Sequence, residues 1–326
     1  MRVLLTGSSG WLGRYLGPRL RAAGHAVVGM DVAPGAETQV IGTVADRAAV
    51  DRCFDDYGIE AVIHAGALHK PDIARFPAQA FVDVNITGTL NLLEAASAAG
   101  HDRFVFTSTT SLMITDAIRQ EAGTVAAWLD EDSGPLMPRN IYGVTKRAAE
   151  ELCRLQASVQ GLNCVVLRTA RFFPEDDDSL GEFPGGELSG PNLKANEFLN
   201  RRLTVEDAAE AHLVALERAP SLGFGTFVIA APTPFDKADA EALKSDAAAV
   251  VAQYFPEAPG LYQRRGWKLP ASIGRVYDAG RAERLLGFRC RTDFAAILTA
   301  LRTDSPLPFA HDPAYVSPQA GPGDRG

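Results

Sequence analysis

Residues 2–16 read RVLLTGSSGWLGRYL: a short, mostly apolar run, a turn containing three glycines, then apolar residues at helical spacing. Gly7, Gly10 and Gly13 stand three apart, and each has its own physical use. The first permits a tight turn, the second lets the backbone approach a pyrophosphate, and the third allows the helix to pack closely on the strand. The helix that follows turns its free N–H groups and positive dipole end toward the same phosphates. Ser9, Trp11 and Leu12 belong to that turn and share its surface. The next apolar run, 26–30, ends on Asp31, about 20 residues past the turn, where a carboxylate can accept hydrogen bonds from an adenosine ribose. That carboxylate repels a 2′-phosphate and no Arg or Lys follows it closely. The stretch therefore predicts a dinucleotide site, and NAD before NADP.

Working outward, apolar runs recur at 38–44, 61–64, 104–106 and 164–167, with helix-like segments between them at 47–57, 77–99 and 141–160. Buried β-branched runs alternating with helices predict a parallel sheet covered on both faces. The expected fold is α/β: a Rossmann-type doubly wound sheet over residues 1–168, completed by a strand at 225–231. Residues 169–303 are expected to form mainly a smaller substrate lobe, with a Gly/Pro/Asp-rich loop at 174–191. The Pro- and Gly-rich tail at 304–326 is expected to be mobile.

A net charge of −8 argues against nucleic acid or an anionic membrane as partner. No run approaches the eighteen apolar residues of a membrane span. Cys53, Cys153, Cys164 and Cys290 show no paired or metal-ligand spacing. Reduced thiols, no metal and a cytoplasmic location are expected, and a strand starting at Arg2 leads us to expect no signal peptide. His64 and His69, five apart, do not make a metal site; His69 or Lys70 could touch cofactor or substrate.

Tyr142 and Lys146 (YGVTK) are four apart at the opening of a predicted helix and share one face. A phenol titrates near 10 unaided, so an adjacent ammonium and the positive nicotinamide ring would be needed to lower it. Thr109 follows the 104–106 strand, where its hydroxyl can hold the reacting oxygen.

Together these pieces resemble the extended short-chain dehydrogenase/reductase family, in its NAD-dependent epimerase/dehydratase branch. The resemblance runs to about Arg289 through TGSSGWLG (6–13), the strand end at Asp31, VIHAGA (62–67) and DVNITGTLNLLEA (83–95). It continues through FVFTSTTS (104–111), EDSGPLMPRNIYGVTK (131–146), LRTARFFP (167–174) and RRLTVEDAAEAH (201–212). It implies Tyr142 as acid/base, Lys146 as its partner and a holder of the nicotinamide ribose, and Thr109 as the group orienting the substrate oxygen. It also implies cofactor contacts from Ala65, Gly66, Ala67, Asn85, Thr107 and Thr169, and a homodimer built on the 77–99 and 141–160 helices.

Three departures stand out. Thr43 replaces an adenine-contacting Asp, leaving Thr43 and Val44 to meet adenine and Asp46 out of place for it. Thr110 and Ser111 occupy the places of the Asp-Glu pair of 4,6-dehydratases, so they become substrate contacts without dehydration chemistry. The loop after LRT carries Arg171, suited to a phosphate or carboxylate, beside Phe172 and four acids at 175–178 read as solvated. Of Arg201 and Arg202, the expectation falls on Arg202 as the substrate contact. Thr204 to Asp207 reads as a helix cap. The expected function is epimerisation of a sugar-like secondary alcohol with NAD. A net dehydrogenase of a polyol, sugar or ketone is the alternative, and a non-catalytic NAD-binding regulator is the rival of another class.

Overall fold

The computed structural model describes residues 1–176 and 188–318. The quoted stretch forms β1 (Arg2–Thr6) and α1 (Trp11–Ala22), followed by β2 (Ala26–Asp31), a two-residue β3 (Val40–Ile41), α2 (Arg47–Tyr57) and β4 (Ala61–His64). The long helix expected at 77–99 is broken into α3 (Ala78–Phe81), a π turn at Val82–Thr87 and α4 (Gly88–Ala98). Next come β5 (Phe104–Thr109), α5 (Asp116–Arg119), β6 (Ala127–Leu129), α6 (Ile141–Gln160) and β7 (Cys164–Thr169). The remainder is α7 (Gly190–Glu197), α8 (Val205–Leu222), β8 (Phe224–Ile229), α9 (Ala240–Tyr254), α10 (Ala258–Arg264), β9 (Arg275–Tyr277) and α11 (Phe294–Thr303).

Seven strands lie in the order β3-β2-β1-β4-β5-β7-β8, every pair parallel. The order reverses beside β1, which opens a crevice at the carboxyl ends of β1 and β4, the usual place for a ligand in such sheets. Strand residues alternate between two cores. Val3, Leu5, Ile63 and Val105 join Leu12 and Leu16 of α1 and Ala208 of α8 on one face. Leu4, Val62, Phe104 and Phe106 join Phe54, Leu92 and Cys153 on the other. Both faces being covered explains why the strands read as continuous apolar runs. A third cluster around Phe198, Tyr262 and Phe294 forms the lobe after α7, and the short parallel pair of β6 and β9 ties it to the sheet domain.

The glycine turn is built as its spacing requires. Gly7 has φ +73°, and a Cβ there would stand 2.7 Å from the Gly66 nitrogen. A Cβ on Gly13 would collide with the main-chain oxygens of Gly7 and Ser8. As far as Pro318 the tail lies against the body: Phe309 stacks on Phe198, and Tyr315 packs on Trp11. Residues 319–326 lie outside the described residues.

Candidate active site

A cavity of about 510 Å³ runs from the glycine turn to the lobe around α7. At one end lie Gly7, Gly10, Trp11, Leu12 and Asp31, with Ala65, Gly66 and Ala67 from the end of β4. Gly10 caps α1 with no side-chain hydrogen bond, so the helix presents its first amides to the cavity. The Asp31 carboxylate accepts hydrogen bonds from the Ser9 N–H at 2.9 Å and the Ala33 N–H at 3.1 Å. These main-chain bonds aim it at the turn. Backbone cradle, uncapped helix start and oriented carboxylate fit a dinucleotide.

The β4 end is held from below. His64 Nδ1 lies 2.7 Å from the Thr6 hydroxyl and Nε2 lies 3.0 Å from that of Thr89, while the Gly66 N–H donates to Thr6 Oγ1 at 3.1 Å. Burial drives the His64 imidazole well below its usual range, with the Lys146 charge adding to the effect. It is a neutral structural histidine.

At the other end, β5 delivers Thr107, Thr109, Thr110 and Ser111, α6 delivers Tyr142 and Lys146, and β7 delivers Thr169, all lining the cavity. Asn140 caps α6 by accepting the Gly143 N–H at 3.0 Å, so the helix begins one residue before Tyr142 and places Tyr142 and Lys146 one turn apart. Burial, with the Asp72 carboxylate adding to it, pushes the Tyr142 phenol up to about 12, outweighing the pull of the neighbouring Thr109 hydroxyl. The sequence reading expected Lys146 to lower it. Instead the Lys146 ammonium donates to the Thr107 main-chain oxygen at 2.8 Å and lies 4.6 Å from the centre of the Phe106 ring. Burial brings it down to about 7, with Cys153 and Glu150 working the other way. Desolvation dominates both groups in the absence of a bound cation.

Beneath the site, Glu150 and Arg168 form a buried ion pair at 2.7 Å. The Glu150 carboxylate also accepts the Ser108 hydroxyl. The Thr107 hydroxyl meets His212 Nε2 at 2.7 Å. Strand β5 is thus clamped from both sides of the sheet.

Several expected contacts stand elsewhere. Ser9 braces the turn, its hydroxyl donating to the Ala33 oxygen at 2.7 Å, and Gly13 packs against the turn behind it. Thr43 and Val44 lie off the cavity: Thr43 Oγ1 accepts the Ala45 N–H, and Val44 packs where a side chain on Gly88 would sit. Asp46 caps α2. Asn85 is buried and acts indirectly, bonding both main-chain groups of Leu68 and donating to the Thr145 hydroxyl. Arg202 is fully buried, paired with Glu197 at 2.7 Å and donating to the Phe173 oxygen. Its neighbour Arg201, in the turn after α7, lines the cavity instead. Arg171 and Phe172 do line it; Arg171 is held by the Glu175 carboxylate at 3.2 Å and the Asp176 oxygen at 3.0 Å. Glu175 is half-buried rather than solvated, and Asp177 and Asp178 lie outside the described residues. Thr204 and Asp207 form the expected cap.

Several contributors went unread, Arg75, Arg139 and Glu197 among them. Asp72, 1% exposed, is held by His69 at 3.1 Å and stands beside Tyr142. Arg119 and Arg275 also line the cavity, and Tyr315 lines it beside Trp11. The His69–Asp72 cap was a readable local signal; Arg119, Arg275 and Tyr315 depend on long-range folding.

Residues 3–183 match the family described as the NAD dependent epimerase/dehydratase family. A UDP-glucose 4-epimerase of Rhizobium meliloti is 28% identical over 209 residues, covering 61% of this chain and 61% of that one. An L-arabinose 1-dehydrogenase (NAD(P)(+)) of Haloferax volcanii is 34% identical over 186 residues, 54% of this chain and 69% of that one. The match thus spans about three fifths of the epimerase's length. A short-chain dehydrogenase/reductase superfamily protein of Agrobacterium tumefaciens, solved with bound NAD, superposes with a TM-score of 0.64 at 23% identity, covering 93% of this chain and 96% of that one. The family match covers more than half of this chain's length, and the chain belongs to the NAD dependent epimerase/dehydratase family.

Proposed function

We propose that this enzyme acts on a secondary alcohol of an anionic, sugar-like substrate and inverts it through a transient ketone. The observation that carries the chemistry is that Tyr142, Thr109 and Lys146 line the same cavity as the glycine turn. Bound NAD supplies the hydride acceptor. Tyr142 and Thr109 share the substrate hydroxyl, Tyr142 taking its proton as the carbonyl forms and returning it as the alcohol is restored. The neutral, buried phenol is poised as the donor to a ketone. A cationic ring close by and the Lys146 ammonium supply the positive charge that the reverse transfer requires. Thr110 and Ser111 line the cavity beside them, and neither offers the acid or base that expels water from a sugar.

The anionic character rests on the cations of the cavity: Arg75, Arg119, Arg139, Arg171, Arg201 and Arg275 line it, against the carboxylates of Asp72, Glu175 and Glu197. A cationic pocket in a chain of net charge −8 is a local design for an anion. Burial lowers the Arg275 guanidinium, and the Arg201 and Arg119 charges lower it further, a repulsion that a bound anion relieves. The 34% identity to a sugar dehydrogenase gives net oxidation as the second reading.

The test is a panel of neutral sugars, sugar acids, sugar phosphates and nucleotide sugars given to purified enzyme, with product stereochemistry and NADH both followed. Inversion at one carbon without NADH accumulation, with NAD surviving desalting, supports epimerisation. Stoichiometric NADH supports the dehydrogenase. Activity confined to neutral sugars overturns the anionic assignment. Helix α6 leaves Val144, Leu155 and Val159 about half exposed or more, which supports a homodimer through this helix; light scattering at working concentration tests it.

A further inference from the structure

Beyond α11 the chain runs back over the body of the protein and is attached at two places that belong to different parts of the fold. The first is the lobe around α7. Phe309 stacks on Phe198 with ring centres 5.6 Å apart. Lys194, 2% exposed, donates through Nζ to the Pro174 and Ala310 main-chain oxygens, and His311 Nδ1 lies 3.0 Å from the same nitrogen. The Asp312 N–H donates to the Pro174 oxygen at 2.8 Å. The second attachment, three residues later, is α1. There the Tyr315 ring meets Trp11 edge-on at 5.2 Å, and the Arg14 guanidinium lies 5.9 Å from the ring centre.

A turn sets the span between the two attachments. The Ala314 N–H donates to the Asp312 carboxylate at 3.1 Å, and the Tyr315 N–H donates to the Asp312 main-chain oxygen at 3.1 Å. Prolines at 306, 308, 313 and 318 leave the free chain fewer conformations to lose when it is pinned. From the turn onward Tyr315, Val316, Ser317 and Pro318 line the cavity together with Gly7, Gly10 and Asp31. The segment adds a wall, and the space at the glycine turn stays part of the cavity. Val316 stands on that wall with 59% of its surface exposed, an apolar face that a molecule in the cavity would cover.

We propose that residues 309–318 are a clasp that retains NAD, with Tyr315, Val316 and Ser317 as cofactor-contacting residues supplied from the far end of the chain. The clasp joins the α7 lobe to α1, so a dinucleotide on the glycine turn is held between two parts of the fold instead of resting on one. Its release requires Tyr315 to part from Trp11, while the lobe anchors at Phe309 and Asp312 stay in place. The clasp therefore acts on the dissociation rate. Retention of this kind suits a reaction that returns the hydride to the molecule it came from. The inference rests on the dinucleotide role of the glycine turn and is independent of the substrate.

The test reads cofactor release without turnover, by stopped-flow displacement of NADH with excess NAD under fluorescence. Tyr315→Ala keeps the lobe anchors and removes the ring from Trp11. NADH should leave this variant roughly two- to tenfold faster, the worth of one aromatic pair. Tyr315→Phe keeps the ring and should release NADH at the wild-type rate. A chain ending at Pro308 loses both attachments and should release it faster than Tyr315→Ala does. In the wild-type chain, saturating NADH should protect the amides of 314–317 from exchange together with those of 10–13. A release rate unchanged in both Tyr315→Ala and the shortened chain, or no protection at 314–317, overturns the clasp and leaves the glycine turn's role standing. A wild-type chain that binds no NADH overturns both.

Discussion

The Lys146 ammonium donates its hydrogen bond to the main-chain oxygen of Thr107, 2.8 Å away, and not to the phenol one turn earlier on its own helix. The cation is thereby fixed to the sheet edge, and its distance from Tyr142 is set by the packing of α6 on β5. It stands in a desolvated place where its charge is expensive, 3% exposed and brought down to about 7. The site therefore stores an electrostatic mismatch on both groups: an amine that resists protonation and a phenol that resists ionisation.

Replacing Tyr142 by Phe should reduce turnover by about 10² to 10⁴-fold, the contribution of a positioned acid–base group. Thr109→Ala should cost roughly 10- to 100-fold, one strong hydrogen bond. Steady-state kinetics beside an NADH titration separates chemistry from binding. Normal turnover in the Tyr142 variant would remove this tyrosine from the mechanism.

Lys146 also predicts how stability follows pH. Its folded value of about 7 lies below the ordinary 10.5. Between those values the unfolded chain binds more protons than the folded one, so this group makes stability rise with pH across that window. At pH 7 and below, Lys146→Met should relieve the buried charge and melt higher than wild type in the cofactor-free state. That advantage should shrink toward pH 9 to 10. A difference in melting temperature that does not change with pH contradicts the assignment.

The Glu150–Arg168 pair supports β5 and β7, with 7% of each side chain exposed. Glu150→Ala leaves a buried guanidinium without its partner and should cost about 3–5 kcal/mol in urea unfolding. Glu150→Met with Arg168→Met should recover most of that loss, because an apolar pair leaves no stranded charge. A double variant as unstable as the single one would show that the pair does more than neutralise itself.

Arg275→Met should raise KM for an anionic substrate at least tenfold with kcat changed little, since the charges acting on it are those of Arg201 and Arg119 and not of the Tyr142–Lys146 pair. KM for a neutral analogue should stay put. Equal effects on both substrates would count against an anion contact.

How much of this was legible depends on the distance over which each signal acts. The glycine turn was readable because its three requirements fall within seven residues of chain, each a local steric or helix-end condition. Helix α6 was readable for the same reason, since Tyr142 and Lys146 are one turn apart and its cap precedes it directly. The break of the expected 77–99 helix was not, because the π turn at Val82–Thr87 carries Asn85 inward to bond Leu68 and Thr145. Choosing between Arg201 and Arg202 needed the phase of a short bridge to Arg171. A one-residue shift in phase reverses the side that faces the cavity.

By itself the sequence determined the sheet, the glycine turn and the placing of Tyr142 and Lys146 one turn apart, since each is written in neighbouring residues and in the period of the elements they build. The tertiary structure alone decided which cations line the cavity, that burial raises the tyrosine, and where the chain runs as far as Pro318. Arg119, Arg201 and Arg275 share one wall of the cavity although they come from α5, the turn after α7, and β9. Tyr315 meets Trp11 across some three hundred residues of chain. Desolvation and long-range charge are properties of the folded surroundings, which no local pattern of residues encodes.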